Sequence, residues 1–84
     1  MKFYIYKSHF QYLSNIIKNK LDAVYIDDVS IDFFKNGKLH NFKNAAIFYN
    51  KIEKGFCLNG IFYGDHNKFT KESWRRFVKM QVFL

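Results

Sequence analysis

An α+β domain is what this 84-residue sequence predicts: an N-terminal strand and helix, an antiparallel β-meander of two 23-residue hairpin repeats, and a C-terminal helix. Three observations carry that expectation. Short β-branched and aromatic runs recur through the middle of the chain, each bounded by turn residues. Asn-Gly occurs twice, at Asn36-Gly37 and Asn59-Gly60. That dipeptide suits the type I′ turn of a two-residue hairpin, because both central positions need positive φ. The two ends of the chain show instead the three-and-four apolar spacing of amphipathic helices.

The elements follow in order. Lys2–Tyr6, "KFYIY", is too short for a helix and reads as a strand. Ser8 with Gln11 forms a capping box, and Phe10, Leu13, Ile17 and Leu21 then mark one face of a helix from about His9 to Lys20. "AVYI" and "VSIDFF" are strand-like runs on either side of Asp27-Asp28. "AAIFYN" and "KGFCL" are the next pair, joined through Lys51–Glu53, and "IFY" follows the second Asn-Gly. The loop "GDHNK" leads to the last helix. Thr70 is its N-cap, Phe69 and Trp74 stand in hydrophobic-staple positions, and Glu72 favours the positive end of the helix dipole. Trp74, Phe77, Val78 and Gln81 mark one face of this helix. Lys71, Arg75 and Lys79 form a stripe on the other, with Arg76 and Lys68 beside it.

Length sets a single domain, residues 1–84, and a chain of this size buries only about 60–65% of its unfolded surface. Eleven Phe, six Tyr and one Trp supply dense core material. They exceed what so small a core needs, so some aromatic surface is expected to be open to a partner. The single cysteine, Cys57, excludes an internal disulfide and reads as a small buried hydrophobe. No signal peptide or membrane-length apolar run is visible, so the reading is a cytoplasmic protein with no membrane partner. The net charge of +7 is uneven: six Lys and four Asp give residues 1–42 a charge of +2, while eight Lys/Arg and three acids give residues 43–84 a charge of +5. A basic C-terminal half implies an acidic partner. The absence of proline and the heavy use of Lys, Asn, Ile, Phe and Tyr match an AT-rich genome, as in many bacteria, phages and mobile elements.

Candidate chemistry is sparse. His9, His40, His66 and Cys57 lack metal-ligand spacing, and no cofactor motif is present. "LNGIFYG" lacks the Lys-Ser/Thr of a phosphate-binding loop. Asp27-Asp28 reads as a turn before it reads as an acid/base pair. The expectation is a protein that is not an enzyme and carries no metal.

Ala23–Gly37 and Ala46–Gly60 align over fifteen residues without a gap. Ala, Phe, Asn and Gly are identical at 23/46, 33/56, 36/59 and 37/60, and four further places hold similar apolar residues. The pattern reads as a 23-residue unit of strand, turn, strand and Asn-Gly, whose apolar face must be completed by the flanking helices. The stretch "NGKLHNFKNAAIFYNKIEKGFCLNG" resembles the MORN-like hairpin repeats of small phage and bacterial proteins. Asn36, Gly37, Lys38, His40, Ala46 and Asn59-Gly60 fit that pattern. Asn44-Ala45 stands where Gly-Pro is usual, "NFK" stands where "RED" is usual, and "NGIFYGDH" lacks the Lys and His. The resemblance covers about Ala23–Tyr63 and implies a phage accessory origin, with no catalytic set attached.

The leading functional expectation is therefore a small inhibitor, of the anti-CRISPR kind among phage anti-defence proteins. It would dock on a host protein or ribonucleoprotein complex with an acidic surface. The partner-binding residues would be Lys68, Lys71, Arg75, Arg76 and Lys79 with the hairpin aromatics Tyr49, Phe62 and Tyr63. The alternatives are direct nucleic-acid binding through the same basic helix, and a structural or assembly module.

Overall fold

The computed structural model describes residues 4–7 and 15–82. It is a small α+β protein. The strands are β1 (Tyr4–Lys7), β2 (Ala23–Ile26), β3 (Ser30–Lys35), β4 (Lys38–Leu39), β5 (Ile47–Tyr49), β6 (Ile52–Leu58) and β7 (Ile61–Gly64), and helix α1 spans Lys71–Val82. The sheet order is β1-β2-β3-β5-β6-β7, with β4 also pairing with β3.

The sheet is antiparallel from β2 onward, but β1 runs parallel to β2, from Tyr4 opposite Ala23 to Lys7 opposite Ile26. Parallel neighbours need a crossover, and residues 8–22 supply one. The expected helix over His9–Lys20 lies largely outside the described residues. Its last part, residues 15–18, is helical. That segment ends in a Schellman motif: Leu21 N–H donates to the Ile16 carbonyl, Lys20 N–H donates to the Ile17 carbonyl, and Lys20 has a φ of 53°.

Both Asn-Gly pairs form two-residue turns with positive φ, joining β3 to β4 and β6 to β7. The β5–β6 connection is shorter than Lys51–Glu53. It is the pair Asn50-Lys51, with φ of 50° and 65°, and Ile52 and Glu53 already belong to β6. Asn tolerates the left-handed region because its short polar side chain bonds locally, and here the following Lys adopts it without a glycine. Asp27 closes the β2–β3 loop as a turn residue, its carboxylate accepting from Val29 N–H and Ser30 N–H at 2.9 and 2.7 Å. Those two bonds hold the carboxyl below its ordinary range.

β4 and β5 share one slot between β3 and β6. The Phe33 carbonyl accepts from His40 N–H, while Phe33 N–H donates to the Ala46 carbonyl. On β6, the Cys57 carbonyl accepts from Asn41 N–H and the Gly55 carbonyl from Ala46 N–H. Residues 42–45 are therefore squeezed out of the sheet between its two neighbours.

Among the described residues two separate cores result. Ile16, Ala23, Tyr25 and Phe34 form one, with Leu21 and Leu39 packed against it. Ala45, Phe56, Phe69 and Trp74 form the other, with Phe48, Leu58, Tyr63, Phe77 and Val78 around them. Side chains alternate across a strand, so Phe33 and Phe48, which meet edge to face, lie on the sheet face opposite Phe34. The helical segment 15–18 thus packs on one face at the β2–β3 end, and α1 on the other face at the β6–β7 end. Trp74 is fully buried against Phe56, Phe69, Tyr63 and Phe77, with ring centroids 5.1–5.8 Å apart. At the start of α1, Ser73 N–H donates to Thr70 Oγ1 and Thr70 N–H donates to Ser73 Oγ, a reciprocal cap in which Ser73 takes the place usual for Glu.

Candidate functional site

The loop expelled from the sheet is held in shape by its own polar side chains. Asn41 Nδ2 donates to the Ala45 carbonyl at 3.0 Å, Lys43 N–H donates to Asn41 Oδ1, and Ala45 N–H donates to Asn44 Oδ1. Two bonds tie it to α1. Trp74 Nε1 donates to the Asn41 carbonyl at 2.9 Å, and Arg75 Nε donates to the Lys43 carbonyl at 2.8 Å. A buried indole N–H needs an acceptor, and this loop provides it.

Phe42 stands at the tip of this anchored loop with 52% of its surface exposed. The Lys43 ammonium lies 5.7 Å from its ring centroid, and the His40 ring meets it edge-on at 6.4 Å. Between the loop and α1 is a shallow depression of about 400 Å³ lined by Phe42, Lys43, Arg75, Val78 and Lys79. A second of about 340 Å³ adjoins it across Phe42 and Val78, with Leu58, His40, Asn59 and Gln81 on its walls. Among the described residues no carboxylate lines either one. The result is an apolar floor with a cationic rim.

His40 ties this groove to the second Asn-Gly turn. Its Nδ1 accepts from Asn59 N–H at 3.0 Å, so this nitrogen is unprotonated. Burial and the nearby Lys35 push the imidazole below the usual histidine range, with Asp22 pulling it back.

The residues expected to bind a partner divide into two groups. Lys71, Arg75, Arg76 and Lys79 are all exposed on α1. Arg75 does not simply face water, since its Nε is committed to the loop. Lys68 is exposed, but its Nζ donates to the Tyr63 carbonyl and lies 5.4 Å from the Phe69 ring centroid, so it braces the β7–α1 connection. Tyr63 was expected as an open aromatic and is instead half-buried against Trp74 and Phe77. Its strand neighbour Phe62 is 60% exposed and pairs with Cys57. Alternation places Phe62 on the sheet face away from α1. Tyr49 is 48% exposed and sits beside Ser30 and Ile52 at the far end of the sheet. The cationic stripe and these two aromatics therefore do not form one surface.

Phe42 takes the aromatic role beside α1 with the Lys43 cation next to it, and neither was singled out as a site residue. Their signal was present in "NFK", the departure from the repeat pattern. The other candidates behave as structural groups. Cys57 is 1% exposed, and burial and Asp32 push its thiol upward. Among the described residues no group of three or more His, Cys, Asp or Glu is placed to hold a metal, and no helix is long and apolar enough to cross a membrane.

No family model matches the chain, and no curated protein or solved structure matches it either.

Proposed function

We propose that the protein is a stoichiometric binding module, without turnover, that docks on a host protein or ribonucleoprotein complex with an acidic surface. A phage- or mobile-element-encoded inhibitor of a defence complex, of the anti-CRISPR kind, would work in this way. The observation that carries the reading is the half-exposed Phe42, fixed by a doubly anchored loop beside Lys43, Arg75 and Lys79. An exposed aromatic held in place loses little freedom when it is covered, and aromatics with Arg are the residues that dominate interface energetics. The exposed positive charge of Lys43, Arg75 and Lys79 adds steering toward an acidic face.

The two segments Ala23–Gly37 and Ala46–Gly60 fit the same proposal as copies of one MORN-like hairpin unit. The matching left-handed turns at Asn36-Gly37 and Asn59-Gly60 support it. The second copy has diverged in its connection, which is a two-residue turn at Asn50-Lys51 where the first has the Asp27 loop.

The test is a pull-down from bacterial lysate with the full chain, with and without nuclease, against the double variant Arg75→Glu/Lys79→Glu. The expected result is a protein partner retained after nuclease and lost with the double variant. Recovery that disappears with nuclease would assign the cations to nucleic acid instead. Equal recovery by the double variant would remove α1 from the site.

A further inference from the structure

We infer that the groove between the 41–45 loop and α1 takes a short acidic peptide segment bearing one apolar anchor side chain, an inference that rests on the docking reading above. The apolar part follows from the floor. Phe42, Leu58 and Val78 line the two adjoining depressions, and volumes of about 340 and 400 Å³ are on the scale that accepts a few side chains. The acidic part follows from the rim. Lys43, Arg75 and Lys79 line the larger depression, and among the described residues no carboxylate lines either one. Arg75 spends only its Nε on the Lys43 carbonyl, so the guanidinium keeps its outer N–H groups for a carboxylate. A segment that seats an aliphatic or aromatic side chain on Phe42 and Val78 would bring flanking Asp or Glu side chains to these three cations.

A nucleic-acid strand fits the same place less well. A strand that binds by stacking successive bases needs several open aromatic faces, and Phe42, with the Lys43 ammonium over its ring and His40 at its edge, offers at most one. Among the described residues the groove has no second stacking platform, since Tyr63 is packed into the core and Phe62 lies on the opposite sheet face. The groove is also short, and the acids at Asp22, Asp27, Asp28 and Asp32 make the N-terminal half of the molecule unfavourable for a long polyanion.

The experiment selects a displayed library of random peptides of about 12 residues on the immobilised full chain, then titrates a labelled winner by fluorescence anisotropy. Enriched peptides are expected to set Leu, Ile, Met or Phe between Asp or Glu residues. Phe42→Ala and Lys79→Glu should each weaken the winning peptide by about 10-fold or more, whereas Phe62→Ala should change it less than about 2-fold. Phe42 is largely exposed and Lys79 makes no bond to the loop in the way Arg75 does, so both variants should retain the far-ultraviolet circular dichroism of the parent. Peptides without acids, no enrichment at all, equal loss with Phe62→Ala, or tighter binding by a single-stranded DNA of similar length would overturn the inference. If the lysate partner is still captured and still lost with Arg75→Glu/Lys79→Glu, the docking reading stands while the peptide inference falls. If that capture fails as well, both fall.

Discussion

Asn36-Gly37 and Asn59-Gly60 adopt nearly the same backbone, with φ of 52° and 74° in the first and 51° and 81° in the second. Their anchoring is also parallel. Gly37 N–H donates to the Leu21 carbonyl and Asn36 N–H to the Asp22 carboxylate; Gly60 N–H donates to the Leu39 carbonyl and Asn59 N–H to the His40 imidazole. Their surroundings differ. A Cβ on Gly37 would lie 2.9 Å from the Ile16 carbonyl oxygen and 2.9 Å from Lys20 Cα, both backbone atoms. A Cβ on Gly60 would meet only the Lys38 side chain, at 3.5 Å or more. One glycine is required by its own conformation and by its neighbours, the other by conformation alone. Identical local sequence thus hides two different tolerances, and the acceptor beneath one turn is a histidine that burial pushes below its ordinary range.

The largest expected effect tests that contrast directly. Gly37→Ala and Gly60→Ala both incur the left-handed penalty of about 1–2 kcal/mol. Gly37→Ala should lose a further ~1–3 kcal/mol, because the backbone of the 15–20 segment must move to admit the methyl group. Urea unfolding of the two variants should separate them clearly, and equal losses would show that the crowding at Gly37 relaxes freely.

The next effect concerns Asp32, which is half-buried opposite Tyr25. Burial and the Asp27 charge push its carboxyl up to about 6. A raised acid contributes stability below its unfolded value of 3.8, and that stability is lost as pH rises through about 6. Asp32→Asn should therefore stabilise the protein at pH 8, by about 1 kcal/mol once solvent screening of a half-exposed group is allowed for. An unchanged or lower Tm at pH 8 would refute the buried-charge account.

That variant also exposes the smaller pH effect at the second turn. His40 is lowered below its ordinary 6.5, so the unfolded chain takes the proton first, and stability is full above that value and falls as pH drops through it towards the folded value. The signs of Asp32 and His40 are opposite, and they oppose each other over the range between the two titrations. In the Asp32→Asn background, Tm should fall between pH 8 and pH 5. Adding His40→Gln should flatten that fall. A slope that persists without His40 would assign it elsewhere.

The smallest expected effect comes from the third turn, Asn50-Lys51, which does without glycine. Lys51→Gly should raise stability by roughly 0.5 kcal/mol, as relief of the left-handed Lys outweighs the added freedom of the unfolded chain. A loss would mean that the Lys51 side chain contributes more than its backbone strain removes.

Legibility in the sequence followed the range of the signal. The Asn-Gly turns, the strands around them apart from the two-residue β4, the Thr70 cap and the Phe69–Trp74 staple depend on residues a few positions apart, and could be read directly. The β5–β6 turn was displaced because an Asn-Lys pair is a weak turn signal and Ile52 with Glu53 carries no period of its own. The parallel placement of β1 was not legible, since a strand's partner is decided by where its crossover lands. Of the candidate site, the cations of α1 were visible from helical spacing. Phe42 was hidden, because its exposure depends on β4 and β5 competing for one slot and expelling the residues between them.

By itself the sequence determined the alternation of strands and turns, the amphipathic C-terminal helix, its cap, and the concentration of positive charge in the second half of the chain. These are consequences of side-chain periodicity, φ preference and composition, which act locally. Only the tertiary structure decided that the two cores among the described residues lie on opposite sheet faces, that Tyr63 is packed while Phe62 is bare, and that one Asn-Gly turn is crowded while its counterpart is open. Those outcomes depend on strand order and on which face each helix covers. Burial is a property of the whole packing arrangement, and residues 33 positions apart, such as Asn41 and Trp74, must meet before the groove beside Phe42 exists.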